Sequence, residues 1–578
     1  MKLYNSIFKV FMVTAVFLAS SCETLDLDQT ENPSAVNPAL LDPTYAFNYI
    51  QLQLPVFVNS TNDFTQRVTR QMAMTGGSSY DNAFAPVNFN GHWSTGYTLL
   101  NAIKIMEPKA KEGNQNYILG ASKVIRCYVL MTLVDVYGDI PFSEALQGSA
   151  NITPQFDSSE AVYKGILDEL DEAIAFLQLT NNGTVVDLYY SSKDKWITLA
   201  NTLKLKMYNN CNLLETIGTG YNVANKMNDI ILSDNYIDTP AEDFVFKYSS
   251  SRQNPNTRHP MYNDQYELGG GAYLGNYMMW AMTTEKSSTT AFPNTITDAG
   301  DPRVDFYFFR QDASPAGEDP FVLPGRTRPD HYNDSKYASF YSSSILATYT
   351  VSNWYGQSNI PANGFWGRDH GNNSGIPQDS DKRSVAGVYP IGGAYGGYTA
   401  GTVQTQGTKG AKGAGIMPIV LSSWVHFMKA EAIMKSKLSG DAKAEMLLAI
   451  TQSIDKTTSV IPVTPAIPPA DLADIATKKQ KYLDFISTTY DGLNDDKKLE
   501  MIIKEYYIAA WGNGIEPYNN YRRTGYPSNF QPTLEPISGA FYNCAFYAGN
   551  CVNNNPNAPA NDRSRKVFWA VPNAKVLH

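Results

Sequence analysis

The most regular feature of the chain is a helical spacing of apolar residues from about Leu41 to Gly220. Between residues 118 and 136 apolar side chains recur every three or four positions, which is the spacing of one buried helix face. Gly138 and Pro141 follow and predict the end of that helix. Comparable stripes come after residues 158 and 192, which predicts amphipathic helices in pairs joined by short loops. The expected fold class is therefore mainly α, built from stacked helix-turn-helix units.

From about residue 241 to residue 415 this periodicity fades, and Gly, Pro, Asn, Ser and aromatic residues dominate. A long irregular stretch in a compact protein is commonly functional, and its aromatic content argues against disorder. Helical patterns return at Pro418, a residue suited to a first helical position, and after Asn494, a good N-cap. These changes divide the chain into a helical-repeat part at 41–240, a loop-rich part with the expected ligand site at 241–415, a second helical-repeat part at 416–515 and a loop-rich tail at 516–578.

The N-terminus has the pattern of a lipoprotein signal peptide. Lys2 and Lys9 precede a short apolar run, and small residues lead from it to Cys22. We expect residues 1–21 to be removed, Cys22 to carry acyl chains, and residues 22–40 to form an acidic tether. The alternative is a secreted protein in which this cysteine is incidental. The apolar run is too short to span a bilayer, and we expect no later segment that is long and apolar enough to do so.

Composition and charge narrow the class of function. The formal net charge of -9 argues against nucleic-acid binding, which needs a basic face. Aromatic residues make up 12% of the chain, and 37 of them are tyrosines. A tyrosine offers a flat apolar ring with a polar tip, so this composition suits contact with amphipathic ligands at a wet surface.

The cysteines allow two interpretations. Cys544 and Cys551 lie in a loop-rich stretch, and in an oxidising compartment they could form a local disulfide or stay free. Cys127 and Cys211 fall within helical patterns, so we expect them to be buried free thiols.

No local motif for catalysis or metal binding stands out. Asp135 and Asp139 lie four residues apart at a helix end, and we interpret them as capping and turn residues, not as a glycosidase pair. The six histidines form no close pair at metal-ligand spacing, and neither a G-x-S-x-G elbow nor a phosphate loop occurs. Residues 368–370 are interpreted as a loop corner, and residues 379–381 are a weak calcium candidate. The sequence thus predicts a protein that is not an enzyme and has no cofactor or metal.

Four motifs follow one another along the chain. They are Trp93 with Tyr97 and Asn101, Tyr128 to Phe142 with Glu144 and Ala145, Asp301-Pro302-Arg303 with Phe306 to Phe309, and Gly514 to Gly525. Together they resemble the SusD/RagB-like family of outer-membrane nutrient-binding lipoproteins, with loops typical of a divergent branch. The resemblance implies a SusD-like fold of four tetratricopeptide-like helix pairs packed against an irregular half. It also implies a cell-surface lipoprotein of the outer membrane that binds glycans and delivers them to a SusC-like TonB-dependent transporter as its lid, without enzymatic activity.

A carbohydrate site combines aromatic platforms with planar polar groups. The candidates for such contacts are Tyr80, Tyr273, Tyr277, Trp280, Trp354, Tyr355, Trp366 and Arg368. Trp93 and Trp196 lie in helical patterns and are expected to belong to the core. Peptide or other non-sugar cargo is the alternative within the same architecture. A lipid-anchored hydrolase and a pure protein-interaction scaffold are alternatives of a different class.

Overall fold

The computed structural model of the protein describes residues 41–74, 84–267, 272–286, 300–311, 365–371, 383–396, 407–459, 469–531 and 541–571. Several predictions fall outside these residues and stay predictions. They are the signal peptide, the lipidation of Cys22, the acidic tether, ligand contacts by Tyr80, Trp354 and Tyr355, and the calcium candidate at 379–381.

The N-terminal part is a series of helices that pack in pairs. They are α1 (Pro43–Val68), α2 (Asn90–Glu112), α3 (Asn116–Tyr137), α4 (Ser159–Gln178), α5 (Lys193–Asn210) and α6 (Val223–Ser233). The pairs are α1 with α2, α3 with α4 and α5 with α6, while α2 also packs on α3 and α4 on α5. The predicted mainly-α fold of stacked helix pairs is therefore confirmed.

Short helices and two-stranded sheets occur among the described residues of the loop-rich part and at its borders. The helices are α7 (Pro260–Tyr262), α8 (Asn276–Met282) and α9 (Val304–Tyr307). A hairpin of β1 (Thr216–Ile217) and β2 (Tyr221–Asn222) precedes α6; β3 (Phe244–Lys247) pairs antiparallel with β6 (Ile416–Val420), and β4 (Phe308–Arg310) with β5 (Ser384–Ala386). Because the β3–β6 pair joins segments far apart in sequence, it ties the end of the first helical part to the start of the second.

The second helical part continues the first. Its helices are α10 (Ser422–Met434), α11 (Ala442–Ser459), α12 (Pro469–Asp491) and α13 (Asp495–Ala509), followed by α14 (Ile515–Thr524) and α15 (Gly549–Asn554). Helix α10 packs on α11, α13 and α5. Two expectations differ from the structure here. Pro418 lies in β6 opposite Val245, so α10 begins only at Ser422, and the expected loop-rich tail opens with α14.

Polar caps set the predicted helix starts. Ser158 accepts a hydrogen bond from Ala161 N at 3.3 Å at the start of α4. Asn494 does the same for Lys497 N at 3.0 Å at the start of α13. Each cap satisfies a backbone donor that the first helical turn leaves unpaired, which is why these starts can be read from local sequence.

Helix α3 lies in the core. By length and composition Asn116–Tyr137 could cross a membrane, contrary to the expectation that no segment after the signal peptide could. In the fold, 83% of the apolar stretch of this helix is buried, and α3 packs on α2, α4 and α5. The core positions of Trp93 and Trp196 are confirmed, with 9% and 0% exposure.

All four cysteines among the described residues are buried free thiols, as expected for Cys127 and Cys211. The disulfide considered between Cys544 and Cys551 is therefore not formed in the structure. Cys551 lies within α15, whereas the Cys544 sulfur packs beside Gly138 at the end of α3. A disulfide needs two side chains directed at each other, a condition that sequence spacing does not test.

The short helix α14 brings charged side chains into the centre of the fold. Arg523 is 1% exposed and binds the fully buried Glu431 of α10 through two hydrogen bonds of 2.7 and 2.6 Å. Glu516, also on α14, forms a buried ion pair with Lys206 of α5. Buried charges are tolerated only when they are paired and hydrogen-bonded. These contacts therefore fix α14 against both helical parts.

Asp139 caps a helix start, as interpreted from the sequence, whereas Asp135 bonds to side chains of other helices and is not a capping residue. The fully buried Asp135 accepts hydrogen bonds from Tyr163 and, at 2.6 Å, from Asn519 of α14. Burial raises the pKa of Asp135, and the hydrogen bond from Tyr163 partly offsets that effect. Asp139 accepts from the backbone of Ser159 at 2.7 Å, at the first residue of α4.

The Arg523–Glu431 pair gives the first testable prediction. In Glu431→Gln the Arg523 charge loses its buried partner, so stability should fall by about 3–5 kcal/mol. The matched control is Glu172→Gln, because Glu172 is 61% exposed in its pair with Lys123 and should contribute at most about 1 kcal/mol. Scanning calorimetry measures both variants, and equal Tm values for the two would contradict the role assigned to α14.

Candidate ligand-binding site

Three segments that are distant in sequence meet through backbone hydrogen bonds. They are residues 70–74 after α1, residues 272–276 at the start of α8, and residues 366–370, and we call them the segment junction. Ala73 N donates to the carbonyl of Tyr273 at 2.9 Å. Arg368 N donates to the carbonyl of Leu274, also at 2.9 Å. The junction thus joins the first helical part to the loop-rich part.

Two glycines permit this close approach. A Cβ on Gly275 would lie 2.1 Å from the Arg70 carbonyl oxygen, and one on Gly367 would lie 2.1 Å from that of Leu274. Real Cβ atoms do not approach backbone so closely, so both positions require glycine.

A buried carboxylate completes the junction. Asp369 accepts hydrogen bonds from Asn276 Nδ2 at 2.9 Å and from Gln531 Nε2 at 2.6 Å. His370 N donates to the Gln531 side chain at 3.1 Å. These bonds confirm that residues 368–370 form a hydrogen-bonded loop corner.

Three of the predicted ligand contacts lie in this junction and are buried. Tyr273, Trp366 and Arg368 are 5%, 1% and 1% exposed. The guanidinium carbons of Arg368 and Arg383 lie 4.5 and 4.2 Å from the centre of the Tyr273 ring. The expected exposed platform is therefore absent at these three positions, because cation–π contacts and core packing occupy the ring and the guanidinium groups.

Tyr277 and Trp280, the other two described candidates, lie in α8 over a buried lysine. The Lys504 ammonium lies 4.5 Å from the Tyr277 ring centre and 5.1 Å from that of Trp280, and it donates to Tyr277 Oη at 2.6 Å. Burial lowers the pKa of Lys504, and the charge of Glu285 partly offsets that effect. Both aromatic residues are at most 7% exposed, so they too support the fold beneath the surface.

An open polar cleft borders the segment junction. It has a volume of about 330 Å³ and lies between the C-terminal half of α1 and the segment around α7. Its lining residues are Asn59, Asn62, Asp63, Gln66, Arg67, Met72, Pro260, Met261, Asp264 and Ala272. We call it the α1 cleft, since α1 supplies five of these residues, all amides or charged groups. Met72 and Ala272 connect it directly to the junction.

Several polar groups of the α1 cleft have no protein partner within the described ranges. Gln66 is 2% exposed, and its Nε2 has no hydrogen-bond partner there. Asp63 and Arg67, one helical turn apart, form no ion pair with any residue that the structure describes. Reduced hydration in the cleft raises the pKa of Asp63; Arg67 offsets this in part, and the charge of Asp264 adds to the rise.

The chemistry of the cleft is that of polar recognition. Its carboxylate, amide and guanidinium groups are planar and can each contact two neighbouring hydroxyls or one amide. Asp264 is already fixed by a hydrogen bond from Ala272 N at 3.1 Å. Among the described residues no group of three or more His, Cys, Asp or Glu side chains could hold a metal ion.

The fold places this protein in the class of helical-repeat proteins, which commonly present a binding surface. A family model described as "Starch-binding associating with outer membrane" matches residues 30–345. A second, described as "Susd and RagB outer membrane lipoprotein", matches residues 405–545. The chain therefore belongs to the SusD/RagB family of outer-membrane lipoproteins. The resemblance drawn from the sequence motifs and the expected outer-membrane location are confirmed.

Solved structures show the same fold. A SusD homologue from Bacteroides fragilis superposes with a TM-score of 0.62 at 17% identity, covering 92% of this chain and 99% of that one. A chitin-binding SusD homologue from Flavobacterium johnsoniae gives 0.61 at 16% identity, with 92% and 98% covered. A SusD homologue from Parabacteroides distasonis gives a TM-score of 0.63 at 16% identity, covering 92% of this chain and 98% of that one. No curated protein matches the chain in sequence.

Sequence reasoning missed the α1 cleft. Its signal was a run of polar residues, Asn59, Asp63, Gln66 and Arg67, which share one face at the end of an otherwise apolar helix. In sequence that run is typical of an ordinary solvated helix face. Only the structure shows that the segment around α7 lies opposite it.

The closeness of the junction is testable. Gly275→Ala forces a Cβ against the Arg70 carbonyl, so the variant should lose about 1–3 kcal/mol of stability. Gly91→Ala is the matched control, because Gly91 lies in α2 with nothing within 4 Å of the added atom. Thermal unfolding of both variants measures this, and an unchanged Tm for Gly275→Ala would refute the junction geometry.

Proposed function

We propose that this protein is a cell-surface lipoprotein that captures oligosaccharides in the α1 cleft and passes them to a TonB-dependent transporter. The single observation that carries the proposal is the cleft itself. In a space of about 330 Å³ it presents Asp63 and Arg67, which form no ion pair among the described residues, and the Nε2 of Gln66, which has no hydrogen-bond partner there. Family membership and the fold shared with a chitin-binding homologue support the same reading.

The chemistry of the cleft suits a sugar. Neighbouring hydroxyls of a pyranose ring can bind a carboxylate or a guanidinium in bidentate fashion, and an amide can donate to one and accept from another. Met72 and Met261 add adaptable apolar surface for the C–H faces of the ring. A peptide would instead need a pattern of backbone partners or a deep apolar pocket for side chains.

Tyr80, Trp354 and Tyr355 stay the proposed aromatic contacts of the sugar. Tyr80 belongs to the segment that follows Met74, and Trp354 with Tyr355 to the one that precedes Phe365. In this proposal Tyr273, Trp366 and Arg368 support the segment junction.

The anchor and the transporter complete the proposal. Cys22 carries the acyl chains, residues 22–40 form the tether, and the helical body acts as a lid over a SusC-like transporter. The protein binds its cargo without chemical turnover. Asp63 and Asp264 line one cleft and would be the pair to suspect if hydrolysis occurred.

Calorimetric titration of the lipid-free chain, Glu23 to His578, tests the capture role. The probes are chitohexaose, maltohexaose, xylohexaose and a set of hexapeptides. We expect saturable binding of one sugar class, and a loss of at least about tenfold in affinity for Asp63→Asn with Arg67→Gln, because hydrogen bonds to charged groups contribute roughly 1.5–3 kcal/mol each. Asp229→Asn, on α6 and 67% exposed, is the matched control and should bind like the parent.

Three outcomes would contradict the proposal. Sugar binding that survives the double variant would move the site away from the α1 cleft. Heat from peptides alone would identify a non-sugar cargo. Shorter products of the bound sugar, detected by chromatography, would identify the protein as a hydrolase.

A further inference from the structure

The outward face of α1 is apolar through its first four turns. Tyr45, Tyr49, Leu52 and Val56 are spaced four, three and four residues apart and so share one face. Their exposed fractions are 74%, 43%, 49% and 49%. Residues 43–62 contain no charged side chain. A surface helix normally places charged and polar residues on its solvent side, so this face is the reverse of the expected pattern.

The loop between α4 and α5 extends this surface. Val186 and Leu188 are 50% and 42% exposed. The buried Gln51 of α1 ties the loop to the helix, because its Nε2 donates to the Val186 carbonyl at 2.9 Å and its Oε1 accepts from Leu188 N at 2.7 Å. We call the six exposed residues, Tyr45, Tyr49, Leu52, Val56, Val186 and Leu188, the α1 patch. Exposed apolar side chains on one helix face and on a loop bonded to that helix are typical of an interaction site.

We propose that the α1 patch is the surface on which this protein docks to an integral protein of the outer membrane, the TonB-dependent transporter. The inference rests on the proposed function and names the contact surface for its partner. The chain before α1 supports this choice of partner. Residues 23–40 between the lipidated Cys22 and the described chain span at most about 60 Å when fully extended. The start of α1 therefore stays within about 60 Å of the lipid anchor.

The chemistry of the patch favours a protein over lipid. The centres of protein interfaces are enriched in tyrosine and depleted in charge, as here. A helix that lies on a lipid surface instead carries Lys or Arg beside its apolar face, and residues 43–62 have neither.

The patch and the α1 cleft lie on the same helix. Seven residues, or two turns, separate Val56 from Asp63, a distance of about 10 Å along the axis. A partner seated on the patch therefore reaches the edge of the cleft. This proximity places the captured ligand next to the partner that receives it.

Photo-crosslinking in intact cells tests the docking surface. The full-length chain carries p-benzoylphenylalanine at Tyr49 or, as a control, at Leu232, an apolar residue on α6 that is 83% exposed. We expect the Tyr49 position, and not the Leu232 position, to crosslink to a TonB-dependent transporter identified by mass spectrometry. Crosslinks only to lipid, only to residues 23–40 of the same chain, or equally from both positions would overturn the inference.

A charge substitution separates this inference from the proposed function. Leu52→Lys should reduce copurification with the transporter at least tenfold, while Tm and oligosaccharide affinity stay unchanged because Leu52 is exposed and does not line the cleft. Leu232→Lys is the control and should copurify like the parent. If the parent copurifies and Leu52→Lys does so equally, the patch assignment fails alone. If the parent itself copurifies with no such transporter, the proposed transport role fails.

Discussion

The bidentate ion pair between Arg523 and Glu431 is the contact on which the arrangement of the helices depends. Neither side chain is exposed by more than 1%, so each would be strongly destabilising without the other. The pair holds α14 between the two helical parts, which are separated in sequence by the loop-rich part. Asn519 and Glu516 extend the same network to α3 and α5. At the centre of the fold, the polar ten-residue helix α14 thus holds the neighbouring helices together, a role that apolar packing has elsewhere.

The position of α1 follows from this constraint. Immediately before α14, Gly514 N donates to Asn62 Oδ1 at 2.9 Å, and Asn62 Nδ2 donates to the Gly512 carbonyl, also at 2.9 Å. A Cβ on Gly514 would lie 2.4 Å from Thr65 Oγ1, which shows how closely the two segments approach. Because Asn62 also lines the α1 cleft, this contact fixes the helix wall that carries Asp63 and Arg67. A second buried cluster attaches the loop-rich part, with Arg303 bound to Asp301 at 2.6 Å and to Glu505 of α13 at 3.2 Å.

Local signals in the sequence were sufficient to predict those features that depend on interactions between residues close together in the chain. Ser158 and Asn494 cap helices through donors three residues away, and Gly138 stops α3 with a φ of +83°. Pro418 misled because its partner in the β3–β6 pair, Val245, is far away in sequence. Helix α14 was not predicted as a helix because its buried side chains are mostly polar, and only partners on other helices explain their burial. The family motifs indicated the fold because they include residues of these contacts, such as Arg303, Glu516 and Arg523.

The site was harder to predict than the fold. Aromatic residues of the loop-rich part suggested platforms, yet Tyr273 and Trp366 are packed inside the segment junction. The composition of a segment cannot distinguish an aromatic ring that contacts a ligand from one that supports a loop. The polar residues of the α1 cleft acquire meaning only when the segment around α7 lies opposite α1, an arrangement that hydrophobic periodicity does not encode.

The most direct measurement is a crystal structure of the protein with the oligosaccharide that binds most tightly in titration. The account predicts electron density for a sugar ring in hydrogen-bond contact with Asp63, Gln66 and Arg67, beside Met72. Density for the sugar at the cleft lined by Phe485, Met501 and Lys504, or at any surface away from α1, would contradict it.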